Sequence, residues 1–378
     1  MKPEASQAGR RQLGYSGMSV SRYPTTREIA DACECSQSTV SNALRNDPRI
    51  SLATRERIQK IATEMGWRAN PLAAAFMAHL RSTKAPRYQA NLAFIVSHPH
   101  SARAEDLPAH QYDNFLGARE RAEQAGYVLE PVWVCEPGVN SGNLARMLQS
   151  RGIHGLLIPG MINPSTSAVF ERFSWENFSS VALGSGLAQS PLHRVAFNYN
   201  KSVPMALHRL FEMGYRRIAV IVSTAYDQKV NHGWLYPLYY EQMQPWGRQW
   251  IKLCVFSGTD NTEDRRHVRS WIEQERPDVI LGEYLAWHVI HDMGWRIPDD
   301  IAFATFDCSS EHPEIGGIYQ CHDVIGAMAV DLLTTQLTQN ERGLSPMPKL
   351  LQIEGNWRDG ESVPVREGSA LIETPRAS

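Results

Sequence analysis

No apolar run in this 378-residue chain approaches the ~18 residues that a membrane-crossing helix needs, so no such helix is expected. The stretch Met1–Tyr23 is polar and has no apolar core, which argues against a secretory leader. Cysteine is sparse: six residues, widely scattered, do not form a disulfide framework, and a reducing, cytoplasmic setting beside the bacterial nucleoid fits best. The familiar enzyme motifs are missing. There is no GxSxG, HExxH, Walker loop or GxGxxG, so the expectation is a non-enzyme with no cofactor and no metal. Cys33-x-Cys35 has the wrong spacing for zinc and no partner pair nearby. In Cys321-His322-Asp323, three adjacent residues cannot easily face one ion. Gly184-Ser185-Gly186 reads as an ordinary turn after a strand.

What is present is an uneven charge distribution. The net charge is -2, yet residues 1–87 hold 14 Lys and Arg against 7 Asp and Glu, while the remainder holds 24 against 33. A basic module suited to a polyanion therefore precedes a mildly acidic body. Apolar residues make up 43 %, enough for a sizeable core, and at about 150 residues per domain the length predicts two or three domains.

Residues 1–22 are rich in Ser, Gly, Gln and Arg without periodicity and read as a flexible leader, with Met18 an alternative start. Thr25 can cap a short helix carrying Ile29, Ala30 and Cys33. After a break at Glu34-Cys35, Ser36 can cap a second helix, Gln37–Leu44, with Val40 and Leu44 inward. Ser51 can cap a third, in which Ile58, Ile61, Ala62 and Met65 recur at helical spacing, and Gly66 ends it. Asn70-Pro71, an Ala-rich stretch Leu72–Leu80 and a charged linker Arg81–Arg87 follow. Beyond them strand-like runs alternate with helical ones for about 270 residues, from Leu92–Ser97 through Val128–Val134, Gly155–Pro159, Val181–Leu183, Val195–Asn198, Ile218–Val222, Ile251–Phe256 and Val279–Leu281 to Ile301–Phe306. Such alternation predicts parallel sheets with covered faces, and the length favours two sheets over one. No internal repeat stands out.

The first two short helices have the spacing of a helix–turn–helix. Gln37, Ser38, Ser41 and Asn42 remain on the outer face of the second, and short amide and hydroxyl side chains suit base edges in a major groove. The stretch Thr25–Ala30, Ser36–Leu44, Ile50-Ser51, Thr54–Glu56 and Gly66–Ala73 resembles the lactose-repressor/galactose-repressor (LacI/GalR) family in order and spacing. Weaker likeness continues through Tyr112–Gly126, Gly155–Ile158, Leu210–Ala219, Pro277–Phe303 and Asn356–Val363.

The resemblance implies a dimeric, ligand-responsive regulator of transcription, a repressor, with an α/β fold. A three-helix helix–turn–helix domain (23–69) and a hinge helix with linker (70–89) would lead into a two-lobed periplasmic-binding-protein-like core with parallel sheets (90–365), then a tail (366–378). The expected lobes are about 90–188 with 308–322, and 189–307 with 323–362. By the same resemblance Gln37, Ser38 and Asn42 read bases, Thr25, Ser36, Thr39, Thr54 and Asn70 contact phosphates, and Phe76 wedges into the minor groove. The partners implied are a double-stranded, pseudo-palindromic operator, a second copy of the chain and a small, sugar-like effector. Asn42 stands where the family usually has Arg, Glu34 where it has the turn glycine, and Glu283-Tyr284 where it has an Asn-Asp pair. Residues near the expected strand ends, Lys229, Asn231, Trp234, Glu283, Tyr284 and Asp307, are the candidate effector ligands. An effector-independent regulator or a cytoplasmic solute-binding protein remains the alternative.

Overall fold

The computed structural model describes residues 24–44, 46–47, 49–67, 90–98, 103–136, 138–160, 169–170, 172–186, 190–259 and 261–366. The expectations for the leader, for Asn70, for the hinge Leu72–Leu80 with Phe76, and for the linker Arg81–Arg87 lie outside these residues. The chain forms two compact units, Met1–His79 and Leu80–Ser378.

In the first unit, α1 (Thr26–Ala32), α2 (Gln37–Leu44) and α3 (Leu52–Glu64) follow the expected boundaries closely. Thr25 and Glu28 form a reciprocal capping box, Ser36 Oγ accepts from the Thr39 amide at 3.1 Å, and Ser51 Oγ accepts from the Thr54 amide at 3.3 Å. Ile29, Ala30, Cys33, Val40, Ala43, Ile58 and Ala62 make the core. Both halves of the Cys33-x-Cys35 pair are accounted for by this packing, Cys33 within the core and Cys35 against it. Met65 differs from the sequence reading: it is exposed, because α3 ends at Glu64 and the chain turns away at Gly66. Glu34 takes φ 51°, the left-handed conformation that a glycine would adopt without strain.

The second unit contains two six-stranded sheets. The first holds β1 (Asn91–Val96), β2 (Val128–Trp133), β3 (Gly155–Pro159), β4 (Ser179–Leu183), β5 (His193–Phe197) and β11 (Leu350–Ile353), in the order β11-β5-β4-β3-β1-β2. The second holds β6 (Ile218–Ser223), β7 (Ile251–Phe256), β8 (Val279–Gly282), β9 (Ala302–Thr305), β10 (Gly316–Tyr319) and β12 (Asn356–Arg358), in the order β12-β10-β9-β8-β6-β7. The orders are the same once the strands are renumbered within each sheet. This is a repeat of topology that the sequence did not display as a repeat of residues. All pairings are parallel except β10 with β12. Central strands such as β3, β4 and β6 are buried along their whole length, as sheets covered on both faces require.

The lobe boundaries expected from the sequence need correction. β5 belongs to the first sheet, β10 to the second and β11 to the first. The helix after β10, Val324–Leu337 in the sequence reading and His322–Gln339 here, packs on the first lobe. Its Ile325, Ala329, Val330 and Leu333 are buried there, and Arg121 meets its Asp331 at 2.6 Å. The reason is geometric. This helix lies against Ala109–Gln124 with its Gly326 beside the Asn114 carbonyl, while Gly117 of the other helix lies beside the Asp323 carbonyl. Arg366, placed in the tail by the sequence reading, is anchored: its amide donates to the Met213 carbonyl at 3.0 Å and its guanidinium pairs with Asp278 at 3.1 Å.

A Cβ on Gly326 would fall 2.0 Å from the Asn114 carbonyl oxygen, where neither backbone can yield. Gly326→Ala is therefore expected to destabilise the second unit by ~1–3 kcal/mol in urea unfolding. Gly142→Ala, whose new Cβ would meet only the Asn140 side chain at 3.6 Å, serves as the near-neutral control.

Candidate functional site

The first unit presents one polar helix face. Ser38 and Gln37 are exposed and Asn42 is half-buried on α2. Gln37 is tethered to α1, its Nε2 donating to Thr26 Oγ1 at 2.8 Å. Ser36 Oγ lies 2.8 Å from Ser38 Oγ and 2.7 Å from Thr39 Oγ1, and Ser51 Oγ lies 2.7 Å from Thr54 Oγ1. The hydroxyls of Thr25, Ser36, Thr39 and Thr54 thus gather at the N-terminal ends of the three helices. Free amides and the helix dipole favour an anion such as a phosphate at such ends.

In the second unit, the parallel strands of both sheets turn their carboxyl ends to the cleft between the lobes, the usual ligand crevice of such sheets. Two adjoining cavities occupy it. The smaller, about 70 Å³, is bounded by the strand ends Pro159–Gly160 and Leu183–Gly186, by Asn114, by Tyr199 and by Tyr226 and Lys229 of α7 (Thr224–Lys229). The larger, about 570 Å³, is bounded by His110 and Asp113 of α4 (Ala109–Gln124) and by Glu283 with Tyr284 and His288, the latter two on α11 (Tyr284–Asp292). The loop Asp307–His312 and His322, the first residue of α12 (His322–Gln339), complete it.

Of the expected effector ligands, Lys229 lines the smaller cavity, Glu283 and Tyr284 the larger, and Asp307 both. Two are placed elsewhere. Trp234 is fully buried, its ring 4.3 Å from Phe306 and 4.7 Å from Tyr199 between centroids, and it supports the cavity wall from behind. Asn231 is exposed with φ 56° just past α7 and lines neither cavity. The turn between them is held by Asp227, which is 1 % exposed and accepts from the Trp234 and Leu235 amides at 3.1 and 3.0 Å.

Sequence reasoning missed His110, Asp113, Asn114, Tyr199, Tyr226, Gln320 and His322. Of these only His322 lies in a motif that the sequence singles out, the triplet Cys321-His322-Asp323. Among the described residues no group of three metal-ligating side chains converges, but His322 Nε2 lies 3.0 and 2.9 Å from the two Asp307 oxygens. Gly184-Ser185-Gly186 is a turn as read, and it also walls the smaller cavity. A Cβ on Gly186 would come 2.9 Å from the Lys229 carbonyl of the opposite lobe.

The electrostatics follow from burial. Burial holds the His110 imidazole neutral, assisted by the charge of His322 and opposed by Asp307, and its pKa falls to about 4. Burial also opposes charge on His322, but Asp307, with Asp113 and Asp323, outweighs it and raises that pKa above the ordinary value. Burial raises Glu283, against the Ser223 amide and hydroxyl and the charge of Lys229. Burial likewise pushes the Tyr284 phenol up to about 12. His110 Nε2, Asn114 Oδ1 and the Tyr284 hydroxyl are buried without a hydrogen-bond partner, the condition of a polar wall that a ligand completes.

Residues 25–70 match the family model described as bacterial regulatory proteins, lacI family. This stretch of the N-terminal unit carries the lacI-family sequence pattern. The chain is 22 % identical over 301 residues to the NTD biosynthesis operon regulator NtdR of Bacillus subtilis (strain 168), spanning 75 % of this chain and 82 % of that one. Its fold is similar to the transcriptional regulator CelR in a cellobiose complex, with TM-score 0.53, 19 % identity and coverage of 90 % and 99 % of the two chains. It is also similar to the lac repressor dimer bound to operator and the anti-inducer ONPF, with TM-score 0.50, 18 % identity and coverage of 91 % and 100 %. The chain thus joins a segment that matches the lacI-family model to a body with the two-sheet fold of these structures.

A histidine kept neutral in the fold binds its proton only on unfolding, so the folded state loses stability as pH falls. Between its ordinary value near 6.5 and about 4, His110 accounts for ~3 kcal/mol of that loss. His110→Gln should therefore flatten the acid limb of unfolding free energy against pH by that order, read by urea denaturation at each pH. His322 acts in the opposite sense: its contribution is present below pH 6.5 and fades as pH rises through its elevated value.

Proposed function

We propose that this regulator binds a pseudo-palindromic DNA operator as a homodimer, and that a small polar effector in the interlobe cleft modulates the binding. The observation that carries the DNA reading is the polar face of α2 in a domain matching the lacI family. Gln37, Ser38 and Asn42 are assigned to base edges, and Thr25, Ser36, Thr39, Thr54 and Asn70 to phosphates. Base contacts then set sequence while phosphate contacts set register. Leu72–Leu80 is assigned as a hinge helix that folds on DNA, since nine residues are too few for a stable isolated helix. Phe76 is its minor-groove wedge. The similar lac repressor structure is a dimer on its operator, which supports the same assembly for this chain.

The effector reading is supported by the cavity at the strand ends and by its unpartnered polar atoms. Asp307, Tyr284, Glu283 and Lys229 are the ligands retained from the sequence. A sugar-like occupant is in keeping with the cellobiose held by the similar CelR. Effector and operator would be linked reciprocally, each altering affinity for the other by the same factor.

Selection of bound duplexes from a random pool tests the first half. Two inverted half-sites are expected, and a single asymmetric site would defeat the dimer reading. Asparagine pairs best with adenine in the major groove and arginine with guanine, each pairing giving ~1–3 kcal/mol of discrimination. Asn42→Arg should consequently change the preferred base in each half-site. An unchanged selected sequence would remove Asn42 from the reading face. Phe76→Ala should weaken specific binding and reduce duplex bending in a gel-phasing assay.

A further inference from the structure

We propose that the ligand of the larger cavity is cationic, a small polar molecule carrying at least one protonated amine. This rests on the reading of the cleft as an effector site. Four carboxylates reach the wall of that cavity, Asp113, Glu283, Asp307 and Glu311, and among the described residues no lysine or arginine lines it. The neighbouring cations have other places. Lys229 borders the smaller cavity, and the Arg358 guanidinium donates to the Ser309, His312 and Ile315 carbonyls at 2.8, 3.4 and 3.4 Å. His322 offsets one carboxylate, Asp307, by direct pairing. Among the described residues the other three have no direct ion pair and face a shared space, Glu283 and Asp113 feeling Lys229 and His322 only at a distance.

Charge of one sign gathered on the wall of a partly closed cleft repels itself and favours an occupant of the opposite sign. The raised pKa of Asp113 is in keeping with this: burial is its main cause, His322 opposes it, and Asp323, Asp307 and Glu311 add to it. The neutral polar atoms point the same way. His110 Nε2 and the Tyr284 hydroxyl are buried and unpartnered, and both residues line the cavity. A neutral imidazole offers a lone pair, and an ammonium offers three donors to a wall rich in acceptors.

Competing ligand classes fit less well. A bare metal ion needs converging ligands, and among the described residues no three His, Cys, Asp or Glu side chains converge. A space of about 570 Å³ is also far larger than an ion. A carboxylate or phosphate ester would add to the charge already there. A neutral polyol would leave that charge unbalanced.

The test is titration of the full-length protein by calorimetry and thermal shift with probes matched in shape and different in charge. D-glucosamine, D-glucose and D-glucuronate form one set, with 1,4-diaminobutane as an open-chain diamine. The amines should bind at least tenfold more tightly than the neutral and anionic probes, and added salt should weaken them. The isosteric Asp113→Asn and Glu311→Gln changes, which spare the Asp307–His322 and Glu283–Ser223 contacts, should together weaken the amines at least tenfold while the melting temperature of the free protein holds. Preferential binding of D-glucose or D-glucuronate, or amine affinity unmoved in the double variant, would overturn the cationic ligand and leave the effector site standing. Absence of binding by all four probes, followed by none from a wider set of neutral, anionic and amine metabolites, would remove both.

Discussion

Two glycines, Gly117 and Gly326, bring the backbones of α4 and α12 into contact, and the geometry of the cleft depends on that contact. His110, Asp113 and Asn114 stand on the first turns of α4, and His322 opens α12. Any side chain at either glycine would separate the helices and move all four residues relative to the strand ends opposite. Close packing converts a missing methyl group into the position of a polar wall. The Arg121–Asp331 pair then fixes the rotation of one helix on the other.

From that wall the remaining features follow. Asp307, on the loop after β9, meets His322 across the chain crossing between the lobes, so the pair holds a loop of one lobe to the helix of the other. Trp234 lies behind the cavity, where its edge-to-face contact with Tyr199 and its tilted contact with Phe306 keep the aromatic wall in place. Asp227, with almost no exposure, uses its carboxylate to tie the turn that delivers Trp234. The first unit is built by another economy: seven buried side chains support three capped helices, leaving the hydroxyls and amides of α2 outward.

Local order was legible in the sequence where one residue type decides it. Thr25, Ser36 and Ser51 are caps because their oxygens reach the third amide of a helix, and each is found doing so. The alternating apolar runs located nine of the twelve strands. The short edge strands β11 and β12 and the strand β10, with its two glycines, carry too little apolar pattern to be seen. The lobe boundaries failed for a related reason: a strand's own residues do not state which of two sheets it joins. In the cleft, Glu283, Tyr284 and Asp307 were accessible because they follow strands directly. His110, Asp113 and Asn114 sit on an amphipathic helix whose polar face looks like any solvated face until α12 covers part of it. Trp234 misled because an aromatic beside a strand end fits a ligand platform and a core anchor equally well.

The three crossings between the lobes also bear on how the molecule is made. The first sheet waits for Leu350–Ile353 and for α12, and the second waits for Asn356–Arg358. Neither lobe can close its sheet until almost the whole chain has left the ribosome. The helical unit at the other end, whose described core spans only Ile29–Ala62, is complete early. Vectorial synthesis therefore yields a finished helical unit ahead of two half-built sheets with open edges, and the burden of avoiding aggregation during that interval falls on the body of the protein.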